Sequence, residues 1–147
     1  MKKSLLFIFS LLIFVSCKNE EEKKTTDKFE VEKVEKTPLQ KSISAGKSIY
    51  TKKCAQCHLA TGKGIPKMYP PLRSSDWLTK KRTESIHAVK YGLNGEITVN
   101  GNKFDNVMIP VGLKDQEVVD VLNYVMNSWG NKQDKMVSLE EVKQVKK

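Results

Sequence analysis

The sequence predicts an all-α domain with one small β-hairpin, and three stretches carry that prediction. Ile43, Gly46, Ile49 and Tyr50 fall at helical spacing and run into Cys54-Ala55-Gln56-Cys57-His58, which ends a first helix. Residues 116–129 place Val118, Val121, Leu122, Val125 and Met126 on one face, the pattern of a longer helix packed against a core. Between them, residues 58–72 hold Gly62, Gly64, Pro66, Pro70 and Pro71, and such a run forms neither a regular helix nor a central strand. It reads as an extended loop.

The remaining elements follow in chain order. Met1-Lys2-Lys3 and the apolar run 4–15 have the basic start and short apolar centre of a signal peptide, assigned to residues 1–16. The run is too short to span a bilayer comfortably. Val15-Ser16-Cys17 resembles the lipobox of bacterial lipoproteins, in which the cysteine becomes the acylated first residue, so Cys17 is the expected lipidation site. Several acyl chains anchor a protein stably where one is marginal. Residues 17–41 are rich in Glu, Lys and Thr and poor in large apolar side chains, and they read as a flexible tether. The folded domain is expected over 42–131. Within it, Ser74 or Ser75 caps a short helix, and residues 83–91 form another that Gly92 stops, with Ile86, Val89 and Leu93 inward. Ile97-Thr98-Val99, Asn100-Gly101 and Asn102-Lys103-Phe104 form a two-residue hairpin signal. Val107-Met108-Ile109-Pro110 is a loop, Asp115 caps the last long helix, and Gly130 ends it. In the C-terminal extension, 132–147, Ser138-Leu139-Glu140-Glu141 resembles a capping box for a short helix.

The formal net charge is +9, which favours acidic partners or an anionic membrane surface. No nucleic-acid-binding motif accompanies it, so nucleic acid is not an expected partner. Lys47, Lys52, Lys53, Lys63 and Lys67 lie close to the Cys-x-x-Cys-His stretch, and no acidic residue falls between Gly46 and Pro71. They predict a one-signed docking rim and a salt-sensitive encounter with partners.

Cys54, Cys57 and His58 have the spacing of a c-type haem attachment site: two thiols for the vinyl groups of one porphyrin, and an adjacent imidazole for the iron. A zinc site needs four ligands, and the only other Cys and His are Cys17 and His87. A redox dithiol would sit in a βαβ pattern, and none is visible. With Cys17 assigned to lipid, no disulfide is predicted. His58 is the expected proximal ligand. A second axial ligand must come from Met or His, which leaves Met68, Met108, Met126, Met136 and His87.

From about residue 42 to 131 the chain resembles a class I cytochrome c domain. Gly46 and Tyr50, eight and four residues before Cys54, match the close helix crossing of that family, and Val121 and Tyr124 match its contacts on the last helix. Tyr69-Pro70-Pro71-Leu72 resembles the family's Gly-Pro-x-Leu segment, which puts Pro70 in the role of accepting the hydrogen bond from the proximal histidine, with Pro71 and Pro66 as the neighbouring prolines. The resemblance implies the cytochrome c fold, helices around one covalent haem c with the hairpin before the distal loop, and Met108 as distal ligand. Arg73 and Trp77 are candidate partners for a haem propionate. The implied function is one-electron transfer rather than catalysis. The alternative is a haem enzyme or ligand sensor with an open distal position. The run from Val107 onward is also similar to cytochrome domains associated with exported dehydrogenases and copper nitrite reductases. Expected partners are therefore redox proteins: a terminal oxidase, a nitrite reductase or an exported dehydrogenase. The expected location is the cell envelope of a Gram-negative bacterium, on the outer membrane or the periplasmic face.

Overall fold

The computed structural model describes residues 35–147, so the leader, Cys17 and most of the tether lie outside the described residues. The first helix, α1 (Pro38–Lys53), starts four residues before the expected domain boundary at 42. Thr37 is its N-cap: Thr37 Oγ1 accepts from Gln40 N at 3.2 Å, and Thr37 N donates to Gln40 Oε1 at 2.8 Å. This reciprocal capping box, with Pro38 just inside it, makes residues 38–41 helix rather than tether. Next come α2 (Ala55–His58), α3 (Asp76–Lys80) and α4 (Arg82–Tyr91). The hairpin β1 (Ile97–Val99) and β2 (Asn102–Phe104) pairs antiparallel with Ile97 opposite Phe104. Asn100 and Gly101, with φ of 50° and 77°, make its turn. Then α5 (Asp115–Val125) and α6 (Leu139–Gln144) complete the regular elements of the described residues, which are helices apart from the hairpin. None of the described helices is long and apolar enough to cross a membrane.

The core is the crossing of α1 and α5. A Cβ on Gly46 would overlap the main-chain carbonyl of Asp120, so the two backbones touch there and only glycine fits. Glycine inside a helix costs up to about 1 kcal/mol relative to alanine, and the close packing of the two helices offsets that cost. Tyr50, Tyr124 and Trp129 cluster beside the crossing, with ring centroids 5.0 to 5.5 Å apart. Val118, Val121, Leu122, Val125 and Met126 are buried along α5 as the apolar periodicity requires.

The last helix ends at Val125, earlier than the expected Trp129. Asn127 Nδ2 donates to Asn123 O, Ser128 Oγ to Tyr124 O and Asn131 Nδ2 to Val125 O, so side chains satisfy the last carbonyls and the helix stops. Its N-cap is Lys114 rather than Asp115. Lys114 N donates to Glu117 Oε2 at 2.9 Å, and Asp115 is the first helical residue.

The C-terminal segment belongs to the same compact unit as the rest of the described chain. Val137 and Val142 are fully buried. Asn123, on α5, exchanges two hydrogen bonds with the Val137 main chain, at 2.7 and 3.1 Å, and a third with Ser42 Oγ. Arg82 makes a two-pronged ion pair with Glu141 at 2.5 and 3.0 Å. The C-terminal extension, 132–147, is therefore strapped across α4 and α5 and packs as part of the domain expected over 42–131.

Candidate haem site

Cys54 caps α1, its N–H donating to Tyr50 O at 2.9 Å. Cys57 N and His58 N then both donate to Cys54 O, at 3.2 and 3.0 Å. The motif is thus a single helical turn, in which side chains three apart share a face. Tyr50 Oη donates to Leu59 O at 2.6 Å and ties the end of that turn to α1. Both thiols are half-buried. Burial, reinforced by the neighbouring Cys57, pushes the Cys54 thiol up to about 11. A redox dithiol needs a depressed thiol pKa, so this environment argues against thiol exchange.

His58 is 8% exposed, and its Nδ1 lies 3.0 Å from Pro70 O. A carbonyl only accepts, so Nδ1 carries the proton and Nε2 keeps its lone pair for a metal. Burial lowers the pKa of the ring, outweighing the hydrogen bond to Pro70, so the neutral, ligating form is favoured. The proximal loop that brings Pro70 there is ordered by its own backbone. Gly64 N donates to His58 O, Ile65 and Tyr69 bridge each other, and Gly62 O accepts from both Leu72 N and Arg73 N. Pro66 and Pro71 make no contact with His58 of this kind.

An apolar cavity opens beside this turn. Cys54, His58, Pro70 and Met108 line it, with Val121, Leu122 and Val125 of α5 forming one wall. Met108 is half-buried in the loop before α5. Its backbone is fixed by a two-way bridge: Leu93 N donates to Met108 O and Met108 N to Leu93 O, each at 2.8 Å. A second space adjoins the cavity, sharing Cys54, His58 and Met108 with it, and its lining by Cys57 and the exposed Met68, Val107 and Ile109 makes it the surface side, or mouth, of the site. Asn106 Nδ2 donates to Met68 O at 2.9 Å and ties the distal loop to the proximal loop.

The sequence candidates for the second ligand separate clearly. Met108 lines the cavity, whereas Met68 is 46% exposed at the mouth and Met126 is buried in the core. His87 packs on Tyr91, ring centroids 5.2 Å apart, and does not line the cavity. Trp77 lines it and Arg73 does not. Sequence reasoning missed the hairpin as a wall: Ile97 and Val99 both line the cavity, as alternate residues of one strand must when one of them does. It also missed Asn106, for which the sequence carries no signal.

Two thiols, a neutral imidazole with a free nitrogen and a thioether around the cavity and the space adjoining it fit haem c. Together with a helical fold that carries one small hairpin, they define a class I c-type cytochrome. The Cytochrome c family model matches residues 43–129, and the chain belongs to that family. It is 39% identical over 110 residues to cytochrome c-552 of Thermus thermophilus, covering 69% of this chain and 83% of that protein. It is 30% identical over 107 residues to the cytochrome c subunit of the quinone alcohol dehydrogenase of Gluconobacter oxydans. That match covers 70% of this chain but only 22% of the subunit. The corresponding subunit of Gluconacetobacter polyoxogenes is 31% identical over 101 residues. The protein thus carries covalent haem c and works in haem electron transfer with redox partners.

The thioethers make a direct test. Wild-type protein should keep its haem stain on a denaturing gel, and the double variant Cys54→Ala/Cys57→Ala should lose it. Haem retained by the double variant would show that the attachment is elsewhere.

Proposed function

We propose that this chain is a one-electron carrier of the bacterial cell envelope, anchored by lipid on Cys17, with His58 and Met108 as the axial ligands of its haem. The observation that carries the ligand assignment is that both side chains line one apolar cavity, with the His58 ring held by Pro70 O and the Met108 backbone held by Leu93. When bound, the haem supplies the one-electron couple. His58, kept neutral and oriented by Pro70, offers Nε2. Met108 offers a soft thioether, which favours the reduced state and closes the position a small substrate would need. The aliphatic walls exclude water. A haem enzyme or ligand sensor requires that position open, and Met108 in the cavity argues against both. Met108→Ala should lower the reduction potential by tens to hundreds of millivolts, within the roughly 0.8 V that axial ligands span. It should also let the ferrous protein bind carbon monoxide. A redox titration and a carbon monoxide spectrum indistinguishable from wild type would exclude Met108.

The lipid anchor rests on the apolar run 4–15 followed by Val15-Ser16-Cys17. Cys17→Ala should move the holoprotein from the membrane fraction to the soluble fraction or stall its processing. Wild-type protein washed off membranes by high salt alone would point to an electrostatic attachment instead.

A terminal oxidase, a nitrite reductase or an exported dehydrogenase is the expected class of partner, and the likeness to dehydrogenase subunits supports the last. Docking occurs at the mouth of the haem cavity. Of the five lysines expected at the rim, only Lys53 lines it, while Met68, Val107 and Ile109 there are 46%, 59% and 70% exposed. Lys63 and Lys67 line an adjacent groove with Lys103. The contact is therefore apolar, with lysines steering from one side. Lys63→Glu/Lys67→Glu should slow reaction with oxidising membranes of the source cell about tenfold at low salt. The difference should vanish at high salt, where charges beyond about 3 Å are screened. Ile109→Glu should slow it at both. A rate unmoved by Ile109→Glu would place docking elsewhere.

A further inference from the structure

We infer that Lys90 is a positioning residue for Met108, and that the C-terminal strap, which lies beyond the family-matched residues, is what holds Lys90 in place. The inference rests on the reading of Met108 as distal ligand.

Lys90 sits in the last turn of α4 with its side chain only 13% exposed. Its ammonium reaches Asp115 Oδ1 at 3.1 Å, Val142 O at 2.9 Å and Val145 O at 3.5 Å. The two carbonyls belong to the end of α6, where helical carbonyls lack intrahelical partners and favour a cation. Tyr91 Oη donates to Val145 O at 3.2 Å as well. The end of α4 is thus clamped to the strap by two consecutive side chains.

The same end of α4 holds the distal loop at both of its ends. Gly92 caps the helix, and a Cβ there would lie 2.5 Å from Met108 O and 2.9 Å from Pro110 Cδ. Leu93 makes the two-way bridge to Met108. At the far end of the loop, Asp115 is released from capping α5, because Glu117 serves that N-terminus, and it pairs with Lys90. Met108 and the six residues after it therefore run between two attachments to one helical turn. Val107 and Ile109, its neighbours, are exposed, so packing of the adjacent side chains does little to hold the loop. Among the described residues, Lys90 is the one side chain that bonds to both the strap and Asp115 at the start of α5. Loss of its ammonium frees one end of the loop and loosens the other.

The test is the rate at which imidazole displaces the native sixth ligand in the ferric holoprotein, measured in the full-length chain. Lys90→Met keeps the length of the side chain and removes the donors. It should speed displacement on the order of tenfold, the scale on which residues along a coupling network shift a distant equilibrium. Lys90→Arg should recover most of the wild-type rate. Val142→Ala is the control: it lowers overall stability by removing buried apolar volume but keeps the main-chain carbonyl through which the strap holds Lys90. At a matched loss of thermal stability it should leave the rate within about twofold of wild type, since a cavity alone costs stability. If Lys90→Met does not hold haem, Asp115→Asn decides, and it should also speed displacement. Equal rates in Lys90→Met and Val142→Ala, or a wild-type rate in whichever of Lys90→Met and Asp115→Asn is decisive, would overturn the inference. If instead Met108→Ala itself left the iron closed to added ligands, the ligand assignment would fail, and the two failures are distinguishable.

Discussion

Backbone contact between α1 and α5 at Gly46 is the constraint on which the haem site depends. With no side chain between them, Asp120 and Gly46 bring the two helices to their closest approach. Eight residues further along α1, Cys54 then lands beside Val121, Leu122 and Val125 of α5, and these residues share the cavity wall. The aromatic cluster of Tyr50, Tyr124 and Trp129 fills the angle beyond the crossing. Tyr50 also reaches Leu59 O, so the same packing fixes the turn that carries Cys57 and His58. A larger residue at 46 would move the attachment turn away from the wall it faces.

The two iron-ligand candidates are placed by main-chain groups of other segments. Pro70 O orients His58, and the Leu93 main chain holds Met108. Main-chain contacts of this kind persist through side-chain variation, and they allow the proximal and distal loops to be irregular and still exact in position. Asn106 adds a cross-tie between those loops at the mouth. The strap from Val137 to Val145 works on the same elements from behind, through Asn123 on α5 and Lys90 on α4. A small domain that spends its central volume on a cofactor cavity gains apolar core from such an extension.

Charge and apolar surface are divided between neighbouring faces. The positive charge predicted to ring the site falls mostly beside it, in the groove of Lys63, Lys67 and Lys103, while exposed apolar side chains surround the mouth. Long-range steering and short-range contact therefore come from different residues, and each can be altered without the other.

Much of the architecture was legible in the amino-acid sequence because it rests on local rules. The Cys54-x-x-Cys57-His58 spacing, the 3.6-residue periodicity of α5 and the Asn100-Gly101 turn are set by covalent geometry and backbone preference within a few residues. The start of α1 was equally legible, since Thr37-Pro38-Leu39-Gln40 is a capping box, but it sits in a charged run that reads as tether. Other features had no local signature. Ile97 and Val99 face the cavity only because the hairpin folds beneath it, and the C-terminal strap is core only because Asn123 meets Val137 across fourteen residues. Lys90 reads as a surface lysine until α6, Asp115 and the end of α4 converge on it. The sequence by itself determined the cofactor chemistry and the order of the helices, because spacing along the chain sets both. The tertiary structure alone decided what holds Met108 beside the cavity, because those contacts join segments far apart in the chain, and only packing brings them together.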